Sequence, residues 1–168
     1  MLFTTRRFKA VQAQENDIAA IREIESLPDN KNYIFQYSIE EHRQFIQTPG
    51  HVTLLFYLDE ELLGYALITH DNRNRSLELR RIALTQIGQG YGRELMHGIQ
   101  SWAFEDLHIH RLWLDAFEDN SRAIHLYESM GYIYEGTLRD TYLSDGEFRS
   151  QKVYSLLEEE YKTLKELL

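Results

Sequence analysis

Apolar positions alternate between two periods along this chain, and the switches between them mark its elements. Residues 52–58 and 62–69 are dense in β-branched and aromatic side chains and flank Asp59-Glu60-Glu61, which predicts an antiparallel hairpin. Residues 77–84 form a third run, entered through the polar turn 71–75. Ahead of these, residues 3–11 read as a weak first strand. Residues 14–27 carry Ile18, Ile21 and either Ile24 or Glu25 on a helical period, with Pro28-Asp29-Asn30 as the stop. Residues 30–38 form a polar, tyrosine-bearing loop, a segment suited to shaping a substrate mouth. Ser38 followed three residues later by Glu41 is a capping box for a short helix that ends at Thr48-Pro49-Gly50.

The second half repeats this alternation. Leu95, Ile99, Trp102 or Ala103, and Leu107 recur at helical spacing. Leu112, Leu114 and Ala116 then alternate with Trp113, Asp115 and Phe117 as a half-buried strand over 111–117. Asp119-Asn120-Ser121 offers N-cap chemistry to a helix running to Met130, which Gly131 terminates. Residues 132–143 and 147–156 are strand-like around Ser144-Asp145-Gly146, a hairpin signal, and residues 158–168 have helical propensity. The predicted order is β-α-α-β-β-β-α-β-α-β-β. It implies an α/β fold, a mixed sheet flanked by helices, in a single domain over residues 1–168.

Composition narrows the function classes. The chain has 168 residues, 43% hydrophobic, enough for one domain with a real core. The formal net charge is −9, and no Lys/Arg run resembles a nucleic-acid footprint; the pairs Arg6-Arg7 and Arg80-Arg81 are too short. An acidic surface favours a cationic partner. Cysteine is absent, which removes disulfides and thiol nucleophiles. The N-terminus lacks a signal-peptide layout and the longest apolar stretch, 54–58, is far too short to span a bilayer, so a soluble cytoplasmic domain is expected. His108-x-His110 has neither cysteine nor an obvious third ligand, and no metal is expected.

The chemistry centres on Gln86-Ile-Gly-Gln-Gly-Tyr-Gly-Arg-Glu-Leu-Met96, between a strand and a helix. Gly88, Gly90 and Gly92 allow close backbone approach, and the amides of Gln89 to Arg93 sit at the positive end of the helix. Such a turn binds phosphate or pyrophosphate. A dinucleotide fingerprint would need a third glycine at position 93, which is Arg; a P-loop would need Gly-Lys-Ser/Thr, and Gly92 is followed by Arg93-Glu94. An ordinary glycine-rich helix cap is the plain alternative.

Two blocks together resemble the GNAT superfamily of acyl-CoA-dependent N-acetyltransferases. One is Leu79 to Met96. The other runs from Leu112 through Asn120, Ala123, Tyr127 and Gly131-Tyr132 to Glu135-Gly-Thr-Leu-Arg139. The latter ending is similar to the branch of ribosomal-protein and polyamine acetyltransferases, and the element order extends the resemblance over nearly the whole chain. One departure is Ile87, where the family pattern places Arg or Gln three residues before its first glycine; Gln86 stands beside it. Backbone amides make most of the pyrophosphate contact, so weaker rather than abolished binding is expected.

The resemblance implies acetyl-CoA as cosubstrate and a primary amine as acceptor: a protein N-terminus, a polyamine or another small amine. It places the CoA pyrophosphate on the amides of Gln89, Gly90, Tyr91 and Gly92, with Arg93 near a phosphate. Ile82, Ala83 and Leu84 would meet pantetheine as a strand would, the Ile82 amide polarising the thioester carbonyl. Asn120, in the helix turn that includes Ala123, would hold the pantetheine arm, or simply cap the helix. Tyr127 would be the general acid for the thiolate, or a core aromatic. Glu78 is placed on the face of Ile82 by alternation and matches the histone-type catalytic glutamate. Asp115, twelve residues before the tyrosine, matches the ribosomal-protein type. Glu78 ranks ahead of Asp115 as the expected base, and both acids could instead serve salt bridges. A non-catalytic acyl-CoA sensor is a second reading, an interaction module a third, and a homodimer is possible.

Overall fold

The computed structural model covers residues 1–168, and its first element is a hairpin. β1 (Phe3–Thr4) turns into antiparallel β2 (Phe8–Gln12). The single strand expected over 3–11 is therefore two. Thr5 makes the break: its hydroxyl accepts the Phe8 amide at 3.0 Å and donates to Glu94 at 2.6 Å. A 3₁₀ turn at Glu15–Asp17 precedes α1 (Ile18–Ser26), which starts later than its apolar period suggested. Leu27, ahead of proline, is extended, and Pro28 occupies the first turn of α2 (Pro28–Lys31). The proline stops one helix by starting another.

The Ser38–Glu41 box caps α3 (Ile39–Gln47), with reciprocal bonds of 3.1 and 2.7 Å. Next come β3 (His51–Leu58) and β4 (Glu61–Asp71), joined through Asp59 in a left-handed conformation (φ 53°), then β5 (Ser76–Leu84). α4 (Tyr91–Ser101) runs on into a π-helical turn at Trp102–Asp106. β6 (Arg111–Phe117), α5 (Ser121–Ser129), β7 (Ile133–Ser144), β8 (Glu147–Leu157) and α6 (Glu158–Glu166) complete the chain. The tail docks on its own domain. Tyr161 stacks on Phe104 at 4.7 Å, and Leu164 fills the space a Cβ on Gly131 would need. No helix is long and apolar enough to cross a membrane.

All eight strands form one mixed sheet in the order β1-β2-β3-β4-β5-β6-β8-β7, antiparallel except for β5 beside β6. The α4–α5 side covers the larger core, which includes Leu77, Leu79, Leu95, Ile99, Leu112 and Leu114. The α1–α3 side covers a smaller one with Ile21, Ile24, Phe45, Tyr65 and Ala83.

Two irregularities in β5 shape the site. Against β4 the register passes from Leu67↔Arg81 to Ile68↔Leu79, leaving Arg80 as a bulge. The bulge reverses the alternation: Leu77 and Leu79 before it, and Ile82 and Leu84 after it, all face the larger core. Glu78, between Leu77 and Leu79, therefore faces away from Ile82. The shared face expected from simple alternation is wrong, because one extra residue flips every later side chain. The second irregularity is a parting of strands. β5 and β6 pair only from Ser76↔Arg111 to Leu79↔Leu114, after which β5 follows β4 and β6 follows β8.

Candidate active site

A cavity of about 430 Å³ occupies the gap where β5 and β6 part. Leu79 to Leu84 form one wall and Asp115, Ala116 and Phe117 the other. The first turn of α4, the Asn120 cap of α5, and Ala123 and Tyr127 within α5 line it from the larger-core face, and Phe35 and Tyr142 complete the lining. Among the residues expected from sequence, the cavity brings together Ile82, Ala83, Leu84, Gly90, Tyr91, Gly92, Arg93, Asp115, Asn120, Ala123 and Tyr127. Gln89 and Glu78 do not line it.

The glycine end has the geometry of an anion cradle. Gly88 and Gly90 have φ of 78° and 73°, a region that penalises any side chain, and Gly90 is the N-cap of α4. The first-turn amides have no partner within the helix and lie at its positive end. A Cβ on Gly92 would sit 3.7 Å from Leu126 and 3.8 Å from Leu84, across the cavity mouth between α5 and β5. Glu94, an acid in that first turn, is turned aside: it accepts from Thr5 and from Arg7 Nε, both at 2.6 Å. Arg7 in turn lies 4.7 Å over the Tyr91 ring. Arg93 reaches Ser129 Oγ at 2.7 Å, and Arg122 is a further cation on the lining. Asn120 accepts the Ala123 amide at 3.3 Å, so it caps α5 while its residue lines the cavity.

The Asp115 carboxyl and the Tyr127 phenol share the cavity lining. Burial lifts the Asp115 carboxyl above the usual aspartate range, with Arg80 and Gln151 opposing the shift. Glu78 is also raised by burial, with Arg80 opposing and the Asp115 charge adding. Arg80 thus stands between two carboxylates, 3.9 Å from Glu78. Burial, reinforced by the Asp115 charge, pushes the Tyr127 hydroxyl well above the usual tyrosine range, and the ring packs 6.0 Å from Tyr132.

Several residues escaped the sequence reading. Asn30 is buried and donates to the Ile24 and Leu84 carbonyls, both at 2.9 Å, so the Leu84 carbonyl already has a donor. Arg81 donates to the Phe35 carbonyl at 2.5 Å and pairs with the fully buried Glu25 at 3.7 Å. Glu25 also accepts the Tyr37 amide at 3.0 Å and binds His42. An acid on the apolar period of α1 was the available signal for this cluster. Nothing local announced Arg149, which donates to the Asn32 carbonyl at 2.9 Å.

A family model described as Acetyltransferase (GNAT) family matches residues 18–132. The chain belongs to this family. Among GNAT relatives, the spermidine N(1)-acetyltransferase of Vibrio cholerae is 30% identical over 104 residues, 61% of this chain and 60% of that protein. The spermine/spermidine N(1)-acetyltransferase of Bacillus subtilis is 28% identical over 90 residues, 49% of this chain and 59% of its own. The match thus spans about three fifths of the length of these curated relatives. The crystal structure of the Vibrio cholerae spermidine N-acetyltransferase in complex with CoA and spermine superposes with a TM-score of 0.82. That likeness covers 93% of this chain and 98% of that one at 21% identity, which establishes the shared fold.

Proposed function

We propose that this protein transfers the acetyl group of acetyl-CoA to a primary, cationic amine. The observation that carries the reading is one cavity that joins the glycine end of α4 to Asp115 and Tyr127 through the gap between β5 and β6. The cradle suits a pyrophosphate because glycine lets the backbone approach and the helix end supplies donors. The parted edge of β5, around Ile82, suits an amide-bearing arm that pairs as a strand does. Relatives named for spermidine and spermine support a small aliphatic polyamine as acceptor, and the acidic surface favours a cation.

In the proposed reaction Asp115 accepts a proton from the incoming ammonium, directly or through water. An alkylammonium has a reference pKa near ~10.4, so it arrives charged at neutral pH. The neutral nitrogen attacks the thioester carbonyl, whose oxygen is held by the Ile82 amide. The carbon–sulfur bond breaks as Tyr127 gives its proton to the departing sulfur, the nitrogen loses its second proton to water to become the amide, and Asp115 and Tyr127 return to their starting states by exchange with solvent. A phenol kept protonated by burial is suited to that role. Asp115 is favoured over Glu78 as base because it lines the cavity and Glu78 does not. Glu78 acts behind it by sharing Arg80.

The test is thiol release from acetyl-CoA with a panel of amines: polyamines, N-terminal peptides and neutral amines. Polyamine-dependent release supports the reading. Acetyl-CoA binding without release from any acceptor would favour a sensor instead. The presence of an acid and a phenol in the CoA-facing cavity argues for catalysis over sensing.

A further inference from the structure

Tyr33, Ile34 and Phe35 line the cavity, their segment 32–38 packs on the smaller-core face opposite α4, and two arginines from opposite sides of the sheet gap hold two of its carbonyls. Arg81 of β5 donates to Phe35 O at 2.5 Å and lies 4.5 Å over the Tyr37 ring. Arg149 of β8 donates to Asn32 O at 2.9 Å and lies 3.7 Å over Phe117. Between these pins Phe35 stacks on Tyr142 at 4.4 Å and meets the edge of Phe117 at 5.7 Å. These three aromatic rings form part of the cavity wall. Its position therefore depends on two cations that are not part of the wall's own segment.

Each cation has its own counter-charge, and the two differ in kind. Arg81, 11% exposed, answers to Glu25, whose side chain is fully buried and also takes the Tyr37 amide. Unpaired charge there is unfavourable, so this end is the more firmly held of the two. Arg149 answers to Asp119 at 3.0 Å, and Asp119 is 65% exposed, where an ion pair contributes little. Asp119 also directly precedes the Asn120 cap of α5.

We propose that Arg81, through Glu25, and Arg149 are positioning residues that hold residues 32–38 as a strap over the acceptor end and thereby set acceptor affinity. The inference rests on the acetyltransferase reading. The strap is fixed at its Phe35 end and releasable at its Asn32 end, so the mouth widens by loss of the Arg149 contacts alone. The named contacts of both arginines lie away from the α4 turn, so acceptor binding should respond to the strap more than acetyl-CoA binding does.

The experiment combines Arg81→Lys, Glu25→Gln and Arg149→Ala with steady-state kinetics and amide hydrogen exchange. Lysine keeps the charge but lacks the planar fork. The variants at the buried end are expected to raise the acceptor KM about tenfold or more, because small misplacements are costly to alignment. KM for acetyl-CoA should stay within about twofold of wild type. Exchange of the 32–38 amides should quicken in all three variants. Arg149→Ala leaves the buried cluster intact and decides the matter if the others fail to fold. Unchanged exchange in Arg149→Ala, or parallel rises in both KM values, overturns the strap. If wild-type protein acetylates no amine, the function reading fails separately, while exchange still reports whether the arginines hold the segment.

Discussion

Gly92→Ala separates the cradle from the fold. Gly92 lies inside α4, where alanine is favoured over glycine by about 0.5–1 kcal/mol. The new methyl would meet only Leu126 and Leu84, at 3.7 and 3.8 Å, which are ordinary contacts. Free protein should therefore gain stability. For a domain of this size each kcal/mol moves Tm by roughly 2–4 °C, so a rise of roughly 1–4 °C is expected. The same methyl stands in the mouth between α5 and β5, where the pyrophosphate is proposed to approach the backbone. Calorimetry should show acetyl-CoA binding weakened by about tenfold or more, equivalent to about 1.4 kcal/mol. Gly90→Ala gives the opposite stability signature. At φ 73° a Cβ costs about 1–2 kcal/mol, so Tm should fall by roughly 2–8 °C as affinity falls. Unchanged affinity in a folded, more stable Gly92→Ala protein would refute the assignment of the anion site to this turn.

Other substitutions probe the chemistry and the scaffold. Tyr127→Phe keeps the buried ring and should lower turnover by roughly 10²- to 10⁴-fold with acetyl-CoA affinity intact; unaffected turnover would leave Tyr127 as a core residue only. Asp115→Asn should abolish the acid limb of the pH–rate profile and recover partly at alkaline pH, whereas Glu78→Gln should only displace that limb; the reverse pattern moves the base to Glu78. Because burial raises the folded pKa of Asp115, its contribution to stability is fully present below the unfolded value near ~3.9 and is lost as pH rises through the folded one. Asp115→Asn should therefore melt higher than wild type at neutral pH, with the gain fading in acid. Gly131→Ala combines a left-handed φ of 87° with a Cβ only 2.5 Å from Leu164 Cδ1, and should lose about 2–5 kcal/mol in urea unfolding.

What the sequence made legible was local. The Ser38–Glu41 box, the Asn120 cap, Gly131 and the turns at Asp59 and Asp145-Gly146 are each decided by side chains within a few residues, and each sits where its chemistry requires. The glycine turn and the Asn120-to-Gly131 block were legible for the same reason. The bulge at Arg80 is different: it exists only in the pairing of β5 with β4, so alternation along β5 alone put Glu78 on the wrong face. The contacts from Arg81 to Phe35 and from Arg149 to Asn32 span 46 and 117 residues. Pattern within one segment carries no information about partners so distant. Asp115 and Glu78 both read as candidate acids, and only the parting of β5 from β6 distinguishes which one meets the cavity.

The four-residue junction of β5 with β6 has a mechanical consequence. Five strands on one side and three on the other are joined in the ladder only from Ser76↔Arg111 to Leu79↔Leu114. The molecule is in that sense two blades on a short spine. A cosubstrate arm lying along the open edge of β5 would act as a ninth, borrowed strand that laces the blades together. Its binding energy would then appear as cohesion of the whole sheet. At a hundredfold excess over Kd that amounts to about 2.7 kcal/mol, distributed to residues that never touch the ligand. Release of the product thiol would remove that cohesion and leave the shared core and the four-pair ladder to hold the two blades.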